Sequence, residues 1–147
     1  MGGAVKGQAA SLRLDRRDAP QVFGAGLHII PHGDGTIAIG STSERQFEAP
    51  DTTDEQLESL IETARLLCPE LADAPVIERW AGLRPRSPSR APMLGPWPGR
   101  PGHFVLNGGF KIGFGMAPKL GELAADLLLD GTDAIPPGFR VTDNLRA

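Results

Sequence analysis

The chain has 147 residues and a formal net charge of −3, and its residues are 40% hydrophobic and 22% charged. This length suits one domain with a sizeable core, and the apolar content argues against disorder. The acidic balance, without a basic face, argues against nucleic acid or an anionic membrane surface as a partner.

The cysteine and histidine content limits which disulfide and metal sites the chain can contain. Cys68 is the single cysteine of the chain, so an internal disulfide is excluded. The three histidines do not have metal-ligand spacing, so we expect no metal. No apolar run of membrane-spanning length is present, and the Met1 segment lacks the charged and apolar regions of a secretory signal. A cytoplasmic setting is therefore expected.

The first third of the chain has β character. Residues 5–14 form one predicted strand, and residues 22–31, with Val22, Phe23 and Ile29, form another. Asp34-Gly35 is a turn signal, and residues 36–42 alternate again. The two β runs around Asp34-Gly35 predict a hairpin.

Residues 51–68 are predicted to form a helix. Thr53 and Gln56 have capping-box spacing, and Pro69 ends the pattern. One apolar stripe recurs at helical spacing, and it contains Leu57, Leu60, Ile61, Ala64 and Leu67.

The second half predicts a strand at 76–83, a proline-rich loop, a short buried strand at 104–107 and a glycine-rich turn at 108–115. A second helix follows, with Pro118 in its first turn and Gly131 as its stop. The tail from Thr132 is expected to be a surface strap or a frayed end. Because strands and helices do not alternate strictly, the order predicts an α+β fold with a mostly antiparallel sheet.

Three features carry possible chemistry, and each also has a purely structural interpretation. The glycine-rich turn before a helix lets backbone N–H groups approach a planar or anionic group, or else is only a tight connection. Arg84, after an apolar strand, suits a bidentate carboxylate contact, or else is a surface arginine. Lys111, a cation in an apolar glycine-rich segment, either reaches water or faces a ligand anion.

Taken in order, the motifs resemble the D-amino-acid-oxidase superfamily of FAD-dependent oxidoreductases, especially its glycine oxidase and sarcosine oxidase branches. The resemblance runs from Val5 to Gly131, and each motif is weak alone. It is carried by Val-Lys-Gly-Gln from Val5, by the Asp34-Gly35 hairpin, by Trp-Ala-Gly-Leu-Arg-Pro from Trp80, and by Asn-Gly-Gly-Phe-Lys-Ile from Asn107.

The resemblance implies roles for individual residues. Arg84 and Lys111 match positions that bind the substrate carboxylate. His28 matches a position often held by tyrosine near the substrate, and Ser43 matches a position that lines the same pocket. The backbone along the flavin's pyrimidine edge is matched by Gly113, Phe114, Gly115 and Met116.

The implied reaction is hydride transfer from the substrate's α-carbon to flavin, with reoxidation by oxygen. Gly82, counted among the cofactor-binding positions, stands at about the place of the cysteine that binds flavin covalently in sarcosine oxidases. Non-covalent FAD is therefore implied. Because His28 stands where the family often has a tyrosine hydroxyl, the resemblance does not decide whether the substrate is glycine, N-methylglycine or a small D-amino acid.

The resemblance also implies a domain organisation. Residues 1–103 correspond to a portion of the substrate domain, residues 104–131 to the C-terminal strand, turn and helix of the FAD domain, and residues 132–147 to a tail. The family's N-terminal dinucleotide-binding unit has no counterpart in the sequence, so the chain is expected to be a C-terminal portion of such an enzyme.

Three hypotheses follow. The first is the catalytic-face portion of a flavin oxidase for a small amino acid, inactive alone, so whether the chain itself is an enzyme stays open. The second is a binding or assembly module that forms a homo-oligomer or complements a separate FAD-binding half. The third is an unrelated α+β domain that binds a small carboxylate without flavin.

Overall fold

The computed structural model describes residues 2–145 of the chain. These residues contain seven strands and three α-helices. They form a five-stranded antiparallel sheet, a separate two-stranded hairpin and helices packed beside them, so the predicted α+β fold is confirmed. The chain divides into two compact units, one of Lys6–Leu83 and one of Met1–Val5 with Arg84–Ala147. The domain division at residue 103 concerns a longer enzyme and stays a prediction.

The five-stranded sheet supplies most of the first unit. Its strands are β1 (Gly3–Arg13), β2 (Val22–Gly24), β3 (Leu27–Pro31), β4 (Thr36–Gly40) and β5 (Val76–Arg86). Their order across the sheet is β2-β3-β4-β1-β5, so β5 is an edge strand.

The prediction of one strand over residues 22–31 is wrong, because the chain reverses in the middle of it. Ala25 and Gly26 have φ of 47° and 79°, the left-handed values of a two-residue hairpin turn. Strand β2 therefore pairs antiparallel with β3, and Phe23 lies opposite His28. The Gly24-Ala25-Gly26 segment carried this turn signal in the sequence.

The predicted hairpin around Asp34-Gly35 joins β3 to β4. The Asp34 carboxylate accepts hydrogen bonds from the Thr36 amide at 3.0 Å and the Thr36 hydroxyl at 2.7 Å, and Gly35 has a φ of 81°. Strand β4 then pairs with β1, where Ala10 lies opposite Ile39. These turn residues therefore fix the register of the central strands.

Helix α1 (Glu55–Leu67) packs its apolar stripe on one face of the sheet. The stripe residues Leu57, Ile61 and Ala64 are buried, whereas Leu67 is exposed. The helix is capped by Asp54, whose carboxylate accepts from the Gln56 amide at 2.9 Å, and not by Thr53 as the capping-box spacing predicted. The core beneath the helix contains Ala10, Leu12, Leu27, Ile29, Ile37, Ile39 and Leu71.

The second unit contains the remaining elements. Its strands β6 (Met93–Pro96) and β7 (Phe104–Asn107) form the two-stranded sheet. Phe104 and Leu106 are 43% and 49% exposed, so the prediction that this strand is buried is wrong. A two-stranded sheet covers few of its side chains, which is why an apolar run here does not imply burial.

Helix α2 (Gly113–Ala125) begins earlier than predicted and contains Pro118 in its interior. Leu120 and Leu123 pack against Leu94 and Ile135. A π-helical turn, Asp126–Asp130, continues the helix to Gly131, which has the left-handed φ of 70° expected of a helix stop.

The C-terminal tail is a strap, and its frayed-end alternative is wrong for the described residues. The Leu94 amide donates to the Phe139 carbonyl at 2.7 Å, and Ile135 and Val141 are buried. Helix α3 (Val141–Leu145) follows. Within residues 2–145 no helix is both long and apolar enough to cross a membrane.

Candidate functional site

Two segments that are distant in sequence meet in the second unit. The Phe110 amide donates to the Pro85 carbonyl at 3.1 Å, and Arg86 forms an antiparallel bridge with Gly109. The end of β5, which carries Arg84, therefore lies against the glycine-rich turn, which carries Lys111. Proline at 85 leaves its carbonyl free to accept while removing an amide that would need a partner.

Arg84 is half-buried within β5. The sequence placed it at a strand end, but the strand continues through Pro85 to Arg86. Its partly covered position limits the motion of the long side chain, which suits a guanidinium that binds a planar carboxylate through two parallel hydrogen bonds.

Lys111 is exposed, so its charge carries no burial cost. Its Nζ atom lies 5.7 Å from the centroid of the Phe110 ring. This exposed position is compatible with the first predicted alternative, contact with water, and a facing ligand anion stays a proposal.

The turn requires glycine at two positions. Gly108 has a φ of 79°, and a Cβ there would lie 2.8 Å from the Ser87 hydroxyl oxygen. A Cβ on Gly109 would lie 2.7 Å from the Gly113 Cα. The backbone approaches its neighbours too closely for any side chain, and the chain therefore enters α2 through a tight connection.

The start of α2 leaves backbone donors without a side-chain cap. Ile112 is the N-cap residue and makes no capping hydrogen bond. Gly113, Phe114 and Gly115 thus form a first helical turn whose amides favour a negative group. Phe114 is fully exposed, and Met116 is half-buried.

An apolar groove of about 170 Å³ lies beside this turn. Its walls come from β7, the turn and α2, and they include Pro92, Leu106, Asn107, Gly109, Gly113, Ala117 and Leu120. A groove with apolar walls that is lined by Gly113, at the uncapped start of α2, suits a flat, largely apolar group that carries an electronegative edge.

The other predicted site residues belong to the first unit. His28, on β3, is exposed; its Nδ1 lies 2.8 Å from the Gln21 amide nitrogen, and its ring centroid lies 4.5 Å from that of Phe23. Ser43 is exposed in the segment after β4, close in sequence to Gly40, the cross-strand partner of His28. Gly82 is exposed on β5, and a Cβ there would have no neighbouring atom within 4 Å.

The first unit contains a buried polar network that was not predicted from the sequence. Lys6 and Gln8 are buried on β1, and the Lys6 Nζ lies 3.6 Å from Glu44 Oε2 and 3.7 Å from Asp54 Oδ2. The Gln8 amide donates to Glu44 at 3.0 Å and to Asp54 at 2.8 Å. The signal was present, because Lys6 and Gln8 share the strand face of the core residues Ala10 and Leu12.

This network holds the segment that carries Ser43. Backbone hydrogen bonds of 2.9 Å join Lys6 and Glu44 in both directions. The Gln8 side chain, followed by the Gln56 amide, lowers the pKa of Asp54 from its usual value by donating hydrogen bonds to its carboxylate. Among residues 2–145, no cluster of three or more histidine, cysteine or acidic side chains could hold a metal ion.

Comparison with known proteins identifies relatives for most of the chain. Residues 3–127 match the family model DAO, FAD dependent oxidoreductase. The chain is 40% identical over 134 residues to a glycine oxidase of Pseudomonas aeruginosa, covering 90% of this chain and 37% of the relative. A glycine oxidase of Pseudomonas putida is 39% identical over 134 residues, with the same coverage of both chains. The chain therefore spans little more than a third of the length of these curated relatives.

Solved structures share the fold. A glycine oxidase from Geobacillus kaustophilus superposes with a TM-score of 0.80 at 28% identity, covering 94% of this chain and 38% of that one. An iminodiacetate oxidase from Chelativorans sp. BNC1 superposes with a TM-score of 0.81 over 95% of this chain and 40% of that one; at 24% identity this likeness concerns the fold alone.

Proposed function

The chain belongs to the DAO family of FAD-dependent oxidoreductases, and from that premise we propose that it is the substrate-orienting and flavin-covering portion of an amino-acid oxidase. The substrate is a small amino or N-methyl amino acid, oxidised at its C–N bond. One observation carries the proposal: the 3.1 Å hydrogen bond from the Phe110 amide to the Pro85 carbonyl, which joins the strand of Arg84 to the glycine-rich turn.

The residues around that turn fit a flavin. The close approaches at Gly108 and Gly109 keep side chains out of the connection, and the groove beside it has apolar walls. The uncapped amides of Gly113, Phe114 and Gly115 would meet the electronegative edge of the ring, with Met116 beside them. When bound, FAD supplies the hydride acceptor.

The chain's own part in the reaction is orientation. The Arg84 guanidinium binds the substrate carboxylate through two parallel hydrogen bonds, and the Lys111 ammonium adds a second positive charge. Holding the carboxylate fixes the direction of the α-carbon hydrogen, and such positioning lowers the barrier without an acid or base. On the resemblance alone, we assign His28 and Ser43 to the substrate pocket and Gly82 to the cofactor.

Flavin titration and a peroxide assay test this function. We expect flavin fluorescence to change on addition of the chain, and Arg84→Ala to weaken glycine binding while leaving flavin binding intact. Since the chain spans 37% of its curated relatives, we expect the 147-residue chain alone to produce little peroxide. Robust turnover by the chain alone would contradict that part of the proposal.

Exposed apolar side chains favour a second candidate, an assembly module. Phe114 is fully exposed, Leu129 is 81% exposed, and Ile112 and Leu128 are also exposed in the same unit. Large exposed apolar residues that cluster in sequence are typical of interaction surfaces. Light scattering after size exclusion tests this candidate, which a monomer at high concentration would contradict.

A further inference from the structure

The two ring nitrogens of His28 have different surroundings in the first unit. Its Nδ1 lies 2.8 Å from the side-chain amide nitrogen of Gln21. Among residues 2–145, no group forms a hydrogen bond or an ion pair with its Nε2. One nitrogen is therefore engaged within the chain, and the other is available to a ligand.

The contact with Gln21 decides which nitrogen of the imidazole carries the proton. The NH2 group of a glutamine amide donates hydrogen bonds and cannot accept one, so Nδ1 of His28 is the acceptor. A neutral imidazole has a single N–H, which then lies on Nε2. The free edge of His28 is therefore a hydrogen-bond donor.

The hairpin of β2 and β3 places Gln21 within reach of His28. Phe23 on β2 lies directly opposite His28 on β3. Continuing the alternation of β2 back to Gln21 puts its side chain on the same face as Phe23, diagonally across from His28. A long side chain spans such a diagonal. The left-handed φ values of Ala25 and Gly26 fix the turn that connects the two strands, and with it this register.

Neighbouring strands also leave the two sides of the imidazole unequal. The ring centroids of Phe23 and His28 lie 4.5 Å apart, with their planes inclined by 36°. On the opposite side, the cross-strand partner of His28 is Gly40 of β4. Because glycine has no side chain, a ligand can approach the ring from that side while Phe23 supports the other.

We propose that Gln21 is a positioning residue of the substrate pocket, which holds His28 as the Nε2–H tautomer so that the imidazole donates a hydrogen bond to the substrate. The presence of His28 in that pocket rests on the proposed function. A fixed N–H donor favours a substrate group that accepts hydrogen bonds, such as an anionic oxygen, over an ammonium group, which only donates. Gln21 thereby contributes to specificity without touching the substrate.

Long-range ¹H–¹⁵N correlation spectra of the whole ¹⁵N-labelled chain test the tautomer, because protonated and unprotonated ring nitrogens have well-separated ¹⁵N shifts. At alkaline pH, where histidine is neutral, we expect the Nε2–H pattern for His28. His103 is the internal reference. Its Nδ1 lies 3.2 Å from the Pro101 carbonyl oxygen, an acceptor that requires a proton on Nδ1. The two histidines should therefore give opposite patterns in one spectrum.

Substitutions of Gln21 separate a positioning role from a purely structural one. Gln21→Glu replaces the donor by an acceptor and should protonate Nδ1 of His28, giving the pattern of His103. Gln21→Leu removes the donor and should weaken glycine binding roughly threefold, as loss of one neutral hydrogen bond does. The control Gln46→Leu removes an exposed glutamine of the same unit that contacts no histidine among residues 2–145, and both readouts should stay unchanged.

Two spectroscopic results overturn the proposal. One is an Nδ1–H pattern for His28 in the parent chain, which would mean that the Gln21 carbonyl oxygen faces the ring. The other is a His28 pattern that Gln21→Glu leaves unchanged. Glycine binding unaffected by Gln21→Leu would overturn the link to the substrate. Failure of the proposed function is a different result, because it requires that Arg84→Ala leave glycine binding unchanged.

Discussion

Lys6 illustrates how one residue can depend on its partners for burial. Its side chain is 3% exposed, and Glu44, at 3.6 Å, is 5% exposed. A buried charge is tolerated when it is paired, but removing one member leaves the other charged and desolvated. The pair therefore constrains the segment after β4 more than it adds to net stability.

Replacing Lys6 should be costly. We expect Lys6→Met to lower the free energy of unfolding by about 3 kcal/mol, since Glu44 would remain buried without its cation. Lys6→Met combined with Glu44→Gln should recover part of the loss. Urea denaturation gives both values, and Lys119→Met is the control, because the Lys119–Glu122 pair is 60% and 57% exposed and should contribute less than about 1 kcal/mol.

Gly108 provides a second residue-scale prediction. Gly108→Ala should destabilise the fold by about 1–3 kcal/mol, because the new Cβ would meet Ser87 and the φ of 79° is unfavourable for alanine. Gly121→Ala, in α2 with open space around it, should instead stabilise by about 0.5–1 kcal/mol. Thermal unfolding of both variants measures the contrast, and equal effects would contradict it.

At the scale of elements, α1 depends on the ionised form of Asp54. The carboxylate caps the helix and accepts from Gln8, and both contacts depress its pKa in the folded state. A depressed pKa means that this stabilisation is fully present above the unfolded-state pKa of about 3.9 and is lost as the pH falls through the lower, folded-state value.

Asp54→Asn tests that dependence. The variant should be less stable than the parent at neutral pH, and the difference should shrink as the pH falls from about 4 through the depressed folded-state pKa of Asp54. Chemical denaturation across this pH range gives the difference directly. A difference in the free energy of unfolding that stays constant down to low pH would show that the charge on Asp54 does not stabilise the fold.

The sequence predicted those elements whose signals are local. The Asp34-Gly35 turn, the stripe of Leu57, Ile61 and Ala64, and the Gly131 stop all act within a few residues. The break at Ala25-Gly26 was missed because the apolar pattern runs across it, so periodicity alone does not separate the two strands. Strand β7 was predicted to be buried from its apolar residues. That prediction failed because apolar content alone does not show how many strands pack against a strand.

The candidate site was predictable in part. Arg84 and Lys111 were singled out by charge in an apolar setting, but their proximity depends on the Pro85–Phe110 hydrogen bond, which no local pattern contains. The network of Lys6, Gln8 and Glu44 likewise joins residues far apart in sequence.

For the whole molecule, the exposed apolar residues of the second unit predict concentration-dependent association. Phe114→Ser combined with Leu129→Ser should reduce the apparent mass in light scattering, because both side chains are largely exposed and contribute little to the core. The control Leu66→Ser removes a leucine that is 83% exposed on α1 in the first unit. An unchanged mass in the double variant would exclude these residues from the interface.

The central claim is that this chain orients a substrate carboxylate toward flavin, and fragment complementation tests it most directly. The chain would be mixed with FAD and with the part of the Pseudomonas aeruginosa glycine oxidase that it does not match, and peroxide production from glycine would be measured. We expect turnover in the mixture, reduced about a hundredfold by Arg84→Ala, which is equivalent to about 2.7 kcal/mol of transition-state stabilisation. No turnover in the mixture, or turnover unaffected by Arg84→Ala, would contradict it.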